Sequence, residues 1–189
     1  MSSNTDHPRL ILQTLDQKLD HEVSLVLFGR AAIWLGFEGV PRELGATVDV
    51  DGIIRLSQLD ELLNDGQFWD AVEATNKELE PQGLYITHLF QEDQIFLGAD
   101  WESQIVPLSF PELSHLQLFR PSTADLILTK MMRGADKSDL DDIQLLINSG
   151  KVTKARLTDA FANMKVIELT ELQDAFARAR PVVLNMAFD

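Results

Sequence analysis

Apolar residues at helical spacing (Leu12, Leu15 and Leu19) follow Pro8 and predict a first helix to about Asp20. Residues 24–28 form an apolar run that stops at Gly29, which predicts a buried strand, and residues 30–35 read as a short apolar helix. Gly36, Gly39 and Pro41 mark a loop, after which 47–50 and 53–56 are β-prone. Ser57 with Asp60 has capping-box spacing. Past Gly66, Phe68, Val72 and Leu79 carry a helical face until Pro81 and Gly83 end it. Residues 84–90 alternate as a strand, 91–94 turn, 95–97 read as the returning strand, and 104–108 and 116–119 supply two more. From Pro121 the pattern becomes helical. Ser122 with Asp125 opens a helix that Gly134 ends, and Ser138 with Asp141 opens another that Gly150 stops. Residues 153–164 span a third, and Thr170 with Gln173 opens the last, which Pro181 breaks or ends. The whole predicts an α+β fold: a mixed sheet flanked by helices in residues 1–120, then a helical part over 121–189 packed with it as one compact unit.

Composition narrows the classes. A chain of 189 residues with 45% hydrophobic and 24% charged content can bury a sizeable core. No apolar run approaches the roughly 20 residues that cross a bilayer, and the opening MSSNTDHPRL lacks the apolar core of a secretion signal. The absence of cysteine removes disulfides and thiolate metal sites. A cytoplasmic protein is the expectation. Sixteen basic against thirty acidic residues leave a net charge of −14. Non-specific nucleic-acid binding rests on neutralising phosphates, for which this chain is poorly equipped; its charge favours cations or a basic protein partner.

The candidate chemistry starts at Asp49 and Asp51. In one strand, alternate residues share a face with Cα atoms about 6.6 Å apart. Two carboxylates at that range repel by roughly 2–3 kcal/mol at an effective dielectric near 20, and a hard cation between them reverses the sign. The alternative is a two-residue hairpin at Asp51-Gly52, which would make Asp51 a turn residue and leave Asp49 alone. Gly29, where a strand feeds a helix, admits a phosphate to backbone N–H groups, and Arg30 could clamp it; a plain strand end with a surface arginine is the alternative. Lys130 shares the stripe of Leu126 and Ile127, with Arg133 one turn on, so it either snorkels outward or points into a cleft. A lysine that serves only a phosphate predicts that Lys130→Ala weakens nucleotide binding and leaves the melting temperature nearly unchanged. Asp139 and Asp142 lie together on one side of the next helix, where first-turn aspartates also serve the helix dipole. The four histidines have no metal-ligand spacing, and neither a dinucleotide fingerprint nor a P-loop is present.

The segments Leu27-Phe28-Gly29-Arg30-Ala31-Ala32 and Thr47-Val48-Asp49-Val50-Asp51, the helix 125–133 with Lys130, and the run 139–143 resemble, in that order, the nucleotidyltransferase superfamily. The resemblance is to the abortive-infection-type toxin nucleotidyltransferases and their bacterial relatives, and spans roughly residues 24–147. It implies a nucleotidyltransferase-like fold in which Gly29, Arg30, Thr47, Lys130 and Arg133 bind the nucleotide. It further implies that Asp49 and Asp51 hold Mg²⁺ or Mn²⁺, with Lys130 and Asp139 or Asp142 completing the catalytic set. The implied reaction moves a nucleotide from an NTP to a hydroxyl on RNA, a protein or a small molecule, in a toxin–antitoxin setting. The alternative is a degenerate fold that binds a nucleotide or protein partner in a regulatory or antitoxin-like role. Arg30 stands where such proteins carry a second small residue. Residues 104–108 offer no third carboxylate, and the nearest arginine before Thr47 is Arg42.

Overall fold

A computed structural model describes residues 6–189; the first five residues of the polar amino terminus lie outside it. The described residues form two compact units, 6–91 with 106–120, and 92–105 with 121–189.

The first unit is built on a mixed five-stranded sheet. Its elements are α1 (His7–Asp16), β1 (Val23–Phe28), α2 (Gly29–Gly36), β2 (Asp49–Ile54), α3 (Leu59–Leu63), α4 (Gly66–Leu79), β3 (Tyr85–Gln91), β4 (Val106–Leu108) and β5 (Leu116–Arg120). The sheet order is β3-β2-β1-β5-β4, with β1 antiparallel to β2 and parallel to β5. β2 runs parallel to β3, and β4 antiparallel to β5. Central β1 is buried at Leu25, Val26 and Leu27, as its unbroken apolar run requires of a strand covered on both faces. α1 buries Ile11, Leu12 and Leu15 against this core and ends at Asp16, short of the expected Asp20. Past it the chain tightens into i→i−3 turns, from the Lys18 N–H to Leu15 and the Leu19 N–H to Asp16. The Asp16 carboxylate accepts backbone N–H bonds from Ser114 at 3.0 and 3.1 Å, and from His115 and Leu116 at 2.8 Å, fixing the start of β5.

The two β-prone runs 47–50 and 53–56 are one strand, β2, and not two arms of a hairpin. Asp51-Gly52 lies inside it, opposite Phe28 and Leu27 of β1. Gly52 is tolerated mid-strand because a Cβ there would come within 2.9 Å of Leu25 and 2.8 Å of Leu89. Ser57 does not cap α3: it lies in a 3₁₀ turn, Leu56–Gln58, and α3 starts after Gln58 without a side-chain cap. Gly66 opens α4 after the break that follows α3, with Asp65 accepting from the Phe68 N–H.

The second unit contains α5 (Thr123–Lys130), α6 (Lys137–Gly150), α7 (Lys154–Ala162) and α8 (Thr170–Met186). Residues 95–97 form no strand. Ile95, Phe96 and Leu97 are buried in this unit instead, with the Lys165 N–H donating to the Leu97 carbonyl and the Ala99 N–H to that of Asn163. Phe96 meets Phe176 edge-on, as does Phe161. The buried Asp125 carboxylate accepts the Gly98 N–H at 2.8 Å and the Ser122 hydroxyl at 2.6 Å, tying this segment to the start of α5. α6 is capped by Asp136, not Ser138; its carboxylate accepts from the N–H groups of Ser138 and Asp139. Pro181 neither breaks nor ends α8, which continues to Met186. The carbonyl it leaves without a donor, on Ala177, belongs to an exposed residue that water can reach. No helix among the described residues is long and apolar enough to cross a membrane.

Candidate functional site

In the first unit the turn from β1 into α2 stands beside the carboxylates of β2. Phe28, the last residue of β1, pairs with Asp51. Gly29 then takes φ +69°, a backbone conformation that L side chains rarely adopt. A Cβ at Gly29 would lie 3.4 Å from Asp51 Oδ2. α2 begins with no side-chain cap and no acidic residue in its first turn, so no carboxylate of its own claims the N–H groups at its start. Arg30 is exposed in that turn.

Asp49 and Asp51 flank buried Val50 in one strand and therefore share a face, each partly exposed. The Thr47 hydroxyl donates to Asp49 Oδ1 at 2.7 Å. Asp51 is positioned by β3 through an irregular register. Val50 pairs with Ile86 and Gly52 with Leu89, so both Thr87 and His88 stand opposite Asp51. The Thr87 hydroxyl donates to Asp51 Oδ1 at 2.6 Å, and His88 Nδ1 lies 3.2 Å from the same oxygen. Among the described residues Oδ2 of each aspartate takes no hydrogen bond. Thr87 and His88 escaped the sequence reading, because only the bulge turns two successive residues of β3 toward one of β2. β4 carries no acid and pairs only with β5.

These features set a physical tension. An uncapped helix start and a positive-φ glycine favour an anion, yet two carboxylates face the same place. A divalent cation with phosphate oxygens resolves it, since Mg²⁺ is commonly held by one or two carboxylates plus substrate phosphates. Among the described residues no group of three or more His, Asp or Glu could hold a metal unaided. Asp49 and Asp51 could therefore hold a divalent cation only together with oxygens from a ligand.

Lys130, Arg133, Asp139 and Asp142 come together in the second unit. Lys130 Nζ donates to Asp142 Oδ2 at 2.7 Å and to Asp139 Oδ1 at 3.2 Å, with its side chain 12% exposed and both aspartates buried. Arg133 Nε donates to Asp139 Oδ2 at 2.6 Å; that hydrogen bond raises the guanidinium's affinity for its proton. The lysine neither snorkels into water nor stands unpaired: two of its three N–H donors go to carboxylates. The sequence predicts the stripe, but not that the aspartates one helix later terminate on this ammonium.

Comparison with curated proteins and with solved structures finds no match to the chain. A family model described as "Nucleotidyltransferase of unknown function (DUF6036)" matches residues 9–168, which include every residue of both clusters. By that match and by its mixed sheet flanked by helices, the chain belongs to this family of nucleotidyltransferases of unknown function.

Proposed function

We propose that the protein is a metal-dependent nucleotidyltransferase that moves a nucleotide from an NTP to an acceptor hydroxyl on RNA, a protein or a small molecule. The observation that carries this reading is the adjacency of positive-φ Gly29, at an uncapped helix start, to Asp51 on the face shared with Asp49. Asp49 and Asp51 would hold Mg²⁺ or Mn²⁺, which neutralises the triphosphate and orients the reacting oxygens in line. Thr47, Thr87 and His88 fix the two carboxylates through the bonds described above. The N–H groups that open α2, with Arg30 in its first turn, receive phosphate oxygens. The Lys130 cluster enters as a rigid element of the second unit. A cytoplasmic, toxin–antitoxin setting accompanies the reading, and a basic protein partner suits the net charge of −14.

A second reading, nucleotide or partner binding without turnover, is favoured by one observation. Beside β2, β3 presents Thr87 and His88 to Asp51 and no third acid. The two separate in one experiment: incubate the protein with Mg²⁺, each α-labelled NTP and cell extract, alongside Asp49→Asn/Asp51→Asn. Label transfer that the double variant abolishes supports the enzyme. Nucleotide binding without transfer, for all four NTPs, supports the binding module.

A further inference from the structure

The bulge in β3 does more than position Asp51: it also leaves a flat aromatic surface beside it. The His88 ring lies parallel to the Phe90 ring, with centroids 5.1 Å apart and planes 5° from parallel. Phe90 in turn meets Phe28, the residue before Gly29, edge-on at 6.0 Å. Phe90 covers one face of the imidazole, yet the His88 side chain is 61% exposed, so the opposite face is open. The Nδ1 contact to Asp51 at 3.2 Å holds the ring in plane. An exposed histidine normally samples several rotamers; this one is locked by a hydrogen bond at its edge and a ring on its back.

We infer that the open face of His88 is a stacking shelf for the nucleobase of the nucleotide held at Asp49 and Asp51. The inference rests on the proposed nucleotide site and adds to it a residue that reads the base. A π-face accepts any of the four bases, so the shelf adds affinity for nucleoside triphosphates over bare polyphosphate and discriminates weakly among bases. Thr87, exposed and bonded to the same Asp51 oxygen, has no ring and takes no part in the shelf.

The test compares calorimetric binding of each NTP and of inorganic tripolyphosphate, both with Mg²⁺, to the full chain and its variants. Stacking on a side chain is lost on truncation to alanine, so His88→Ala is expected to weaken NTP binding by about 5- to 100-fold. Tripolyphosphate binding should fall by a clearly smaller factor, since it loses the Nδ1 contact to Asp51 but no base stacking. His88→Phe keeps the flat face without Nδ1, so it should weaken NTPs and tripolyphosphate by the same factor and keep the natural protein's preference for NTPs. In His88→Trp the new indole's fluorescence should be quenched by NTP and not by tripolyphosphate. Equal weakening of both ligands by His88→Ala overturns the shelf and makes His88 solely a support for Asp51. Unchanged NTP binding in His88→Ala overturns it as well. Failure of the natural protein to bind either ligand overturns the nucleotide site beneath it, whereas tripolyphosphate binding with no preference for NTPs overturns the shelf alone.

Discussion

Replacing Lys130 with methionine removes an ammonium from between two buried carboxylates and keeps most of its aliphatic volume. The Asp142 carboxylate loses a 2.7 Å contact and Asp139 one of 3.2 Å, while Arg133 remains on Asp139. Breaking a buried pair by removing one partner costs about 3–5 kcal/mol, and the surviving arginine argues for the lower end, near 3. In a chain of this size that lowers the melting temperature by roughly 6–12 °C. The assay is urea unfolding, followed by fluorescence of Trp101, buried in the second unit, in a Trp34→Phe/Trp69→Phe background. Adding Asp142→Asn to Lys130→Met should restore at least about half the loss, because the pair is coupled. A lysine serving only a phosphate would leave stability unchanged. A loss under about 1 kcal/mol, or no recovery in the double variant, refutes the reasoning that the cluster is a structural ion network.

Other perturbations probe the first unit. Burial raises the Asp16 carboxyl's proton affinity, but its N–H bonds from Ser114, His115 and Leu116 outweigh that and hold it below 3.8. Asp16→Asn should therefore cost about 2–4 kcal/mol near neutral pH, by denaturant titration, because bonds to a charged acceptor are lost. A lowered native value stabilises above the unfolded one and is lost as pH falls through it, so the gap between natural protein and variant should close below about pH 4. His21 Nδ1 and Nε2 each lie 2.8 Å from a carboxylate, on Asp20 and Asp65, and these hydrogen bonds raise it above 6.5. A raised value stabilises below the unfolded one and is lost as pH rises through the native one; His21→Gln should lower the melting temperature at pH 6 and not at pH 9. Gly29→Ala places a methyl at φ +69°, and should cost about 1–2 kcal/mol of stability. Its loss of NTP affinity, by calorimetry, should exceed that strain, because the methyl stands against Asp51 where the metal-bound nucleotide would approach.

Much of the fold is legible in the apolar pattern, because β1, β2 and α4 bury the stripes their sequences carry. The shared face of Asp49 and Asp51 follows from strand periodicity once the hairpin is set aside. Gly52 looked like a turn residue, but its lack of a side chain answers crowding by Leu25 and Leu89, which only the assembled sheet reveals. Residues 95–97 have a strand's composition, yet their apolar side chains are claimed by Phe176 and its neighbours in the helical unit. Local spacing singled out Ser57 and Ser138 as caps, whereas Asp136 reaches the start of α6 first and Leu56–Gln58 turns as 3₁₀. Thr87 and His88 were illegible for a different reason. A register irregularity between two parallel strands has no signature in either strand alone.

If the β2 carboxylate pair holds a nucleotide-bound metal, protein and NTP must bind that metal jointly. Electron paramagnetic resonance of Mn²⁺, titrated with the protein in the presence and absence of NTP, tests it most directly. NTP and protein together should sequester Mn²⁺ beyond what either does alone, and Asp49→Asn/Asp51→Asn should abolish the excess while the variant stays folded by circular dichroism. Excess Mn²⁺ binding that survives in a folded double variant would contradict it.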